Sequence, residues 1–368
     1  MISPPTPPAI IKNKIGVCVI GVGMWGASHC DFFRRASNRV ELYVCGRNDR
    51  HTAKIAKVYQ AKDYILGFDK AMEDKRFQAV SIVLPHDMHR KATELALINN
   101  KHVLLEKPIA TSLEDADAMI ELSKNTKSIF MIAENMHFRS AITSAVNAID
   151  QGDIGEPLSL TAHAGGLFIP SQGWKADRDK MGGGVLIDIG VHYVRILRLI
   201  LGDPDRVLCC RSMQVNTKTS GKDSVQLLFS SKLGWKAHLL LTRSSERGNG
   251  PDVFLFGDKG TLYLWPSRQY MDYFPALSPS SLDRFPRLLP SWLGSEKILS
   301  LLQRKRRKLC SNDTSGYLTE VREFLAAIEE GREPASTPQD ARRDLEIILC
   351  AYESLAKDNW VNILPSNK

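Results

Sequence analysis

A lysine held between an acid and a proline is the first feature that suggests chemistry. In His102-Val-Leu-Leu-Glu106-Lys107-Pro108 an apolar run ends abruptly in charge. If that run is a strand of a parallel sheet, Glu106 and Lys107 stand at its carboxyl end, the edge of an open α/β sheet where ligands bind. A second group lies in Gly182-Gly183-Gly184-Val185-Leu186-Ile187-Asp188-Ile189-Gly190-Val191-His192. Asp188 and His192 have the spacing that puts two side chains on one helical face. The triple glycine before them makes a turn through which backbone or a ligand can pass closely. Taken singly, the plainer readings are an Asp stabilised by a helix dipole and a satisfied core histidine. One helix carrying both, directly after three glycines, favours a site. An imidazole titrates near neutral pH and suits a proton acceptor. A lysine ammonium stabilises a developing alkoxide.

The third feature is Gly21-Val22-Gly23-Met24-Trp25-Gly26, which follows the apolar run Ile15 to Ile20 and opens a helical pattern. The first glycine permits a tight turn, the second lets backbone approach a pyrophosphate, and the third lets helix and strand pack closely. The helix N-terminus adds N–H donors and a positive dipole end. G-x-G-x-x-G alone is a weak signal, but here the strand before and the helix after are both present. An acid is expected about 20 residues further on to hold the ribose hydroxyls. Gly46 stands there instead, followed by Arg47. We read Gly46 as leaving space, and Arg47 as a cation that meets a 2′-phosphate, so NADP(H) is expected over NAD(H). The plainer alternative is a surface arginine in a turn. Asp49 is expected to begin the next helix and point away.

These pieces together resemble the Gfo/Idh/MocA oxidoreductases, typified by glucose–fructose oxidoreductase and inositol dehydrogenase. The anchors are GVGMWG, VLPHDMH (Val83 to His89), HVLLEKP, AENMHF (Ala133 to Phe138) and WKADRDKMGGGVLIDIGVH (Trp174 to His192). Their order and separation carry the resemblance over nearly the whole chain. It implies that Lys107 is the catalytic lysine, hydrogen-bonded to the reacting oxygen; that Asp188 orients the substrate; and that His192 accepts the proton. It implies cofactor contacts at Gly21, Gly23, Met24, Trp25, Gly26, Gly46, Arg47, Leu84, Pro85, His86, His89, Glu106, Lys107 and Asn135, and a cis Lys107–Pro108 bond. Trp174 and Lys175 are expected to line the substrate pocket with Lys107, Asp188 and His192, and Arg178 could join them, favouring a polar or anionic ligand. Two departures from the family pattern are Arg195, where Asp is frequent, and His86, where Asn is frequent. The implied activity is hydride transfer between NAD(P) and a carbinol or carbonyl of a sugar, cyclitol or sugar-derived acid. Two alternatives on the same scaffold are a glycosidase that uses bound NAD transiently and a non-catalytic sensor. Intact Lys107, Asp188 and His192 argue against the sensor.

The elements that must position these groups are readable in outline. Strand and helix patterns alternate from Ile15 to Ala133, with strands apolar throughout, which argues a parallel sheet covered on both faces. From Glu156 on, strand-like runs follow one another without helices, as in an antiparallel or mixed sheet. A helix over Val185 to Leu201 interrupts them, and Tyr317 to Glu330 and Pro338 to Lys357 close the chain as helices. The expected fold class is therefore α/β: a doubly wound Rossmann domain over residues 1–135, then an α+β domain with a mostly antiparallel open sheet over 136–368, its last helices packing back on the first. That open sheet is expected to use one apolar face to form a homodimer or homotetramer.

Bulk composition narrows the classes. At 368 residues with 43% hydrophobic and 24% charged positions, the chain is an ordinary globular protein. It has no apolar run of membrane length and no secretory leader pattern at Met1 to Lys14, so a cytoplasmic location is expected. Seven cysteines without a C-x-x-C argue against a disulfide framework or a structural zinc, and no metal is expected. The net charge of +8 owes much to the run Arg304-Lys305-Arg306-Arg307-Lys308, read as a solvated helix face within a surface excursion over 266–310, not as a nucleic-acid patch.

Overall fold

The computed structural model describes residues 14–36, 38, 40–166, 173–212, 223–245, 252–265, 270–275, 305–308 and 313–365. The Pro-rich start and most of the 266–310 segment lie outside the described residues. A six-stranded parallel sheet is ordered β3-β2-β1-β4-β5-β6, with β1 Ile15–Ile20, β2 Val40–Gly46, β3 Asp63–Leu66, β4 Ala79–Ile82, β5 His102–Glu106 and β6 Phe130–Ala133. Its central strands are buried on both faces, as continuous apolar runs such as Val17 to Ile20 and Val103 to Leu105 require. Helices α1 (Met24–Ala36), α2 (Asp49–Val58), α3 (Phe68–Glu73), α4 (His89–Ile98) and α5 (Leu113–Lys124) connect the strands. Their starts follow side-chain chemistry: Asn48 accepts from the His51 N–H, and Ser112 from the Asp115 N–H. Strand β3 and helix α3 were not foreseen. Both are too short to show a period, and β3 is only partly buried at the sheet edge.

The order reverses between β1 and β4, so the chain leaves these neighbours in opposite directions and a crevice opens above their carboxyl ends. The glycine turn leaves β1 there, and Val83 to His86 leave β4. Lys107 leaves β5 next to them.

The second sheet has nine strands in the order β14-β13-β12-β11-β7-β10-β9-β8-β15. They are β7 Pro157–Ala164, β8 Arg206–Arg211, β9 Ser224–Ser230, β10 Lys236–Thr242, β11 Val253–Gly257, β12 Gly260–Leu264, β13 Tyr270–Pro275, β14 Lys305–Lys308 and β15 Val361–Asn362. All the pairs are antiparallel except β7 with β10. The basic run is thus corrected: Lys305–Lys308 is an edge strand paired with β13, not a helix face. Lysine- and arginine-rich edges discourage stray strand pairing, so the composition suits that place too.

Helices α6 (Ser140–Asp150) and α8 (Val191–Leu201) pack on one face of this sheet, between β12 and β7, and α10 (Pro338–Lys357) packs against β8. On the other face alternation leaves side chains outward: Leu228 and Phe256 are exposed, and Leu208, Leu240, Phe254 and Tyr263 are half-buried. A short helix α7 (Arg178–Met181) precedes the triple glycine, and α9 (Tyr317–Glu330) returns to pack on α1. Helix α10 also meets α5, where Arg342 pairs with Asp117, and the Ser336 carbonyl accepts from the Ile132 N–H at 3.1 Å. The two sheets are therefore tied together around the crevice. Among the described residues no helix is long and apolar enough to cross a membrane.

Candidate active site

The glycine turn has the geometry that phosphate binding needs. Gly21 sits at φ +95°, and a side chain there would collide with the Val83 carbonyl. A Cβ on Gly26 would collide with the Gly21 carbonyl oxygen, so the third glycine is required by packing of α1 on the strand end. A Cβ on Gly23 would meet nothing within 4 Å. The second glycine thus faces open space at the N-terminus of α1, where a pyrophosphate fits against backbone N–H groups. Met24 is exposed beside it.

The turn after β2 differs from the expectation. A Cβ on Gly46 would collide with the Thr52 hydroxyl and the Val22 methyl. Gly46 is there because helix α2 comes close, and it does not leave a vacant volume for a phosphate. Arg47, one residue later, is exposed. Asp49 does begin α2, and its carboxylate accepts from the Tyr64 hydroxyl at 2.9 Å.

Lys107 precedes a cis proline, Pro108. Its ammonium donates to the Asp188 carbonyl at 2.6 Å and lies 3.3 Å from Asp188 Oδ1. The strand end of the first sheet is thereby joined to the segment after the triple glycine. That segment is not a plain α-helix: Leu186–Gly190 forms a π-helical turn before α8. Such wide turns are frequent at functional sites. The glycines serve packing there: a Cβ on Gly183 would collide with the Tyr352 hydroxyl of α10, one on Gly182 with Thr111, and the Gly184 N–H donates to the Tyr352 oxygen at 2.9 Å. The neighbours passing close to the triple glycine are side chains of the chain itself.

Asp188 is buried, and three cations converge on it. Besides Lys107, Lys175 Nζ stands 3.3 Å from Oδ1 and 3.5 Å from Oδ2, and the Arg243 guanidinium pairs with Oδ2. Arg243 comes from the end of β10 and was not foreseen. Burial lowers the Lys107 pKa, against the pull of Glu106 and Glu134. Lys175 is pushed down to about 7 by burial and then by the neighbouring Lys107 and Arg243. Burial brings Arg243 down to about 10. Trp174 lies under the Lys175 ammonium at 5.3 Å, and its ring meets His86 edge-on at 4.6 Å. Arg178, one turn on, is exposed.

His192 has a partner the sequence reading missed. Its Nδ1 is 2.6 Å from Glu134 Oε1, and that oxygen also accepts from the Met136 N–H. Glu134 follows β6, as Lys107 follows β5. Burial pushes the Glu134 carboxyl up, but His192, then Arg195 and Lys107, bring it below the usual range. A carboxylate holding Nδ1–H leaves Nε2 as the acceptor nitrogen. The signal was available, since an acid at the carboxyl end of a parallel strand stands where ligands bind.

Several side chains expected at the cofactor have partners within the protein. His89 is fully buried, with Nδ1 at 2.9 Å from the Pro108 carbonyl and Nε2 at 3.0 Å from that of Leu84. It braces the β4 and β5 loops from behind. Asn135 is buried and donates to the Ser315 carbonyl at 2.8 Å, fastening the segment before α9. The Glu106 Oε1 is held by His29 at 2.8 Å and by the Trp25 indole at 2.7 Å. Trp25 in turn meets Tyr317 of α9 edge-on. These contacts brace the loops around the glycine turn and Lys107. His86 is likewise buried, donating to the Met181 carbonyl at 2.8 Å; burial holds its pKa well below the ordinary value. Leu84 and Pro85 are partly exposed at the crevice. Arg195, the other departure, is a core residue whose Nε pairs with Asp344 at 2.7 Å. A further buried acid, Glu320 of α9, has its pKa raised well above the ordinary value by burial and by Glu106 and Glu134.

Comparison with known proteins agrees with this arrangement. Residues 15–134 match the Gfo/Idh/MocA oxidoreductase family model, described as an NAD-binding Rossmann fold, and residues 142–263 match a C-terminal domain of the same family. The chain is 23% identical over 360 residues to D-apiose dehydrogenase of Rhizobium rhizogenes, covering 94% of this chain and 96% of that one. It is 30% identical over 202 residues to D-xylose 1-dehydrogenase [NADP(+)] of Haloarcula marismortui, covering 52% and 56%. A levoglucosan dehydrogenase solved with NADH and levoglucosan has the same fold, with a TM-score of 0.82 at 20% identity over 96% of this chain and 100% of that one. The chain belongs to the Gfo/Idh/MocA oxidoreductase family, and with it to the nicotinamide-dependent dehydrogenases and reductases.

Proposed function

We propose that the site transfers hydride between a nicotinamide cofactor and a carbinol or carbonyl carbon of a sugar, cyclitol or sugar derivative. The observation that carries this is the meeting of Lys107, Asp188 and the His192–Glu134 pair, from both halves of the molecule, at the crevice above the glycine turn. A bound nicotinamide supplies the two-electron acceptor or donor. The chain supplies the rest. Gly21, Gly23 and Gly26 hold the pyrophosphate against the α1 N-terminus. In the oxidative direction His192 Nε2 takes the hydroxyl proton while the carbon–oxygen double bond forms. Glu134 keeps that ring in the accepting tautomer and steadies the imidazolium that results. The Lys107 ammonium donates to the same oxygen as its charge grows, and Asp188 fixes Lys107 and orients the substrate. In reduction each proton movement reverses.

The test is a panel of sugars and cyclitols, followed by absorbance of the reduced cofactor, in wild type and Lys107→Met. Turnover should fall by roughly three orders of magnitude in the variant while cofactor affinity stays within a few-fold. Near wild-type turnover would refute the role of Lys107.

The finer cofactor assignment is NADP(H) over NAD(H). It is supported by the absence of an acid at Gly46 and by the exposed guanidinium of Arg47 beside the turn. The partner assignment is a homodimer or homotetramer, joined through the outward face of the second sheet that carries Leu228, Phe256, Leu240 and Phe254. Light scattering at micromolar concentration should give a multiple of the chain mass; a monomer would refute it.

A further inference from the structure

We infer that the substrate of this site carries a negative charge, a carboxylate or a phosphate on its polyhydroxylated chain, which docks between Lys175 and Arg243. The inference rests on the functional reading above and names the class of molecule that the site selects.

Three cationic groups from three separate elements are aimed at one buried carboxylate. Lys107 comes from the end of β5, Lys175 from the turn Trp174–Ala176, and Arg243 from the end of β10. Lys107 already has a role toward the reacting oxygen, with Glu106 and Glu134 acting on its charge. A neutral sugar would need hydrogen-bond donors and acceptors in mixture here, since every hydroxyl offers both. Arg243, and Lys175 once protonated, instead offer donors only. An anion turns that arrangement into charge-assisted hydrogen bonds, with Arg243 suited to a two-pronged contact on carboxylate or phosphate.

The exposures order the approach. The Arg243 side chain is 6% exposed and that of Lys107 16%, whereas that of Lys175 is 34% exposed. Lys175 therefore stands on the solvent side, fixed over the Trp174 face, and Arg243 closes the inner end. The crowding of like charge is visible in Lys175, whose pKa is lowered to about 7 by burial, Lys107 and Arg243, with Glu106 opposing. A bound anion offsets that repulsion and returns the proton to Lys175. Anion binding near neutral pH should then be accompanied by proton uptake, which a neutral ligand would not cause. The titratable and charged groups around Lys175 are Asp188, Lys107, Arg243, Glu106 and His86.

The experiment is calorimetric titration of the cofactor-loaded protein with D-glucose, D-glucuronate, D-gluconate and D-glucose 6-phosphate. Each is run near neutral pH in two buffers of different ionisation heat, which reports protons taken up. At least one acidic probe should bind about tenfold or more tighter than D-glucose, with net proton uptake. Preference for the two carboxylates assigns a sugar acid; preference for the 6-phosphate assigns a phosphosugar. Lys175→Met should abolish the uptake, and Lys175→Met or Arg243→Gln should reduce the preference to within about threefold. If Arg243→Gln does not fold, Lys175→Met alone decides. D-Glucose binding as tightly as the acids, no probe binding at all, or a preference that survives Lys175→Met would overturn the inference. An acid that binds as expected but is never oxidised counts against the dehydrogenase reading and leaves this one standing. Neutral sugars turned over without any preference for acids do the reverse.

Discussion

The two halves of the proposed site are built by different means. The cofactor half is made of backbone: Gly21, Gly23 and Gly26 lie within one turn, and each is required by a steric contact or by an open approach. The chemical half is made of side chains from four elements, Lys107 after β5, Glu134 after β6, Asp188 and His192 around a π-helical turn, and Arg243 after β10. Backbone sites fail through geometry, whereas side-chain sites fail through charge and proton placement. Substitutions in the first half should act on folding and affinity together, and those of Lys107, Glu134 and His192 in the second on rate.

The sharpest break of that contrast is Gly26→Ala. Its methyl group would overlap the Gly21 carbonyl, which is backbone and cannot rotate away. We expect a loss of about 3 kcal/mol in stability, read as a lower Tm, with cofactor affinity falling in parallel. An unchanged Tm would show that α1 can shift without cost.

Glu134→Gln should leave Tm and cofactor binding near wild type while kcat falls by roughly 30-fold, because an amide no longer stabilises the imidazolium and can present the wrong dipole to Nδ1. The split between kcat and KM is the measurement. A change confined to KM would make Glu134 a structural partner only.

Arg47→Ala is the smallest expected effect. It should cut the NADP preference, measured as the ratio of kcat/KM for the two cofactors, by about tenfold through loss of one charged hydrogen bond. Equal use of NAD by the wild type would make Arg47 a turn residue. It would also place cofactor choice elsewhere in the half built from backbone.

How far the site could be read in advance follows the same division. The glycine turn was legible because the parts that explain it, β1, the turn and α1, are adjacent in the chain. Lys107, Asp188 and His192 were legible as residues because each stands at a strand end or after a triple glycine. Their partners were not. Glu134 lies within the quoted AENMHF segment, yet its meaning depends on His192, 58 positions away. Arg243 reads as any charged residue closing a strand until the second sheet brings it to Asp188. The same dependence on distant partners holds at His89 and Asn135. Both lie in motifs that border the cofactor, but their side chains turn inward to backbone carbonyls.

By itself the sequence determined the fold class, because strand burial on both faces and glycine placement are local consequences of residue type and period. It also singled out Lys107 at one strand end and the Asp188–His192 pair after the triple glycine. Only the tertiary structure decided what each glycine clears. Gly46, the last residue of β2, makes room for Thr52 of the helix that follows, and Gly183 for Tyr352 in the last helix of the chain. It alone decided that Lys305–Lys308 is a strand, since a run of basic residues has no period and takes the structure of the edge it pairs with. And it alone set the charge state of the cleft, because burial and like-charge neighbours act through space: burial first, and then the approach of Lys107 and Arg243, lower the Lys175 pKa to about 7.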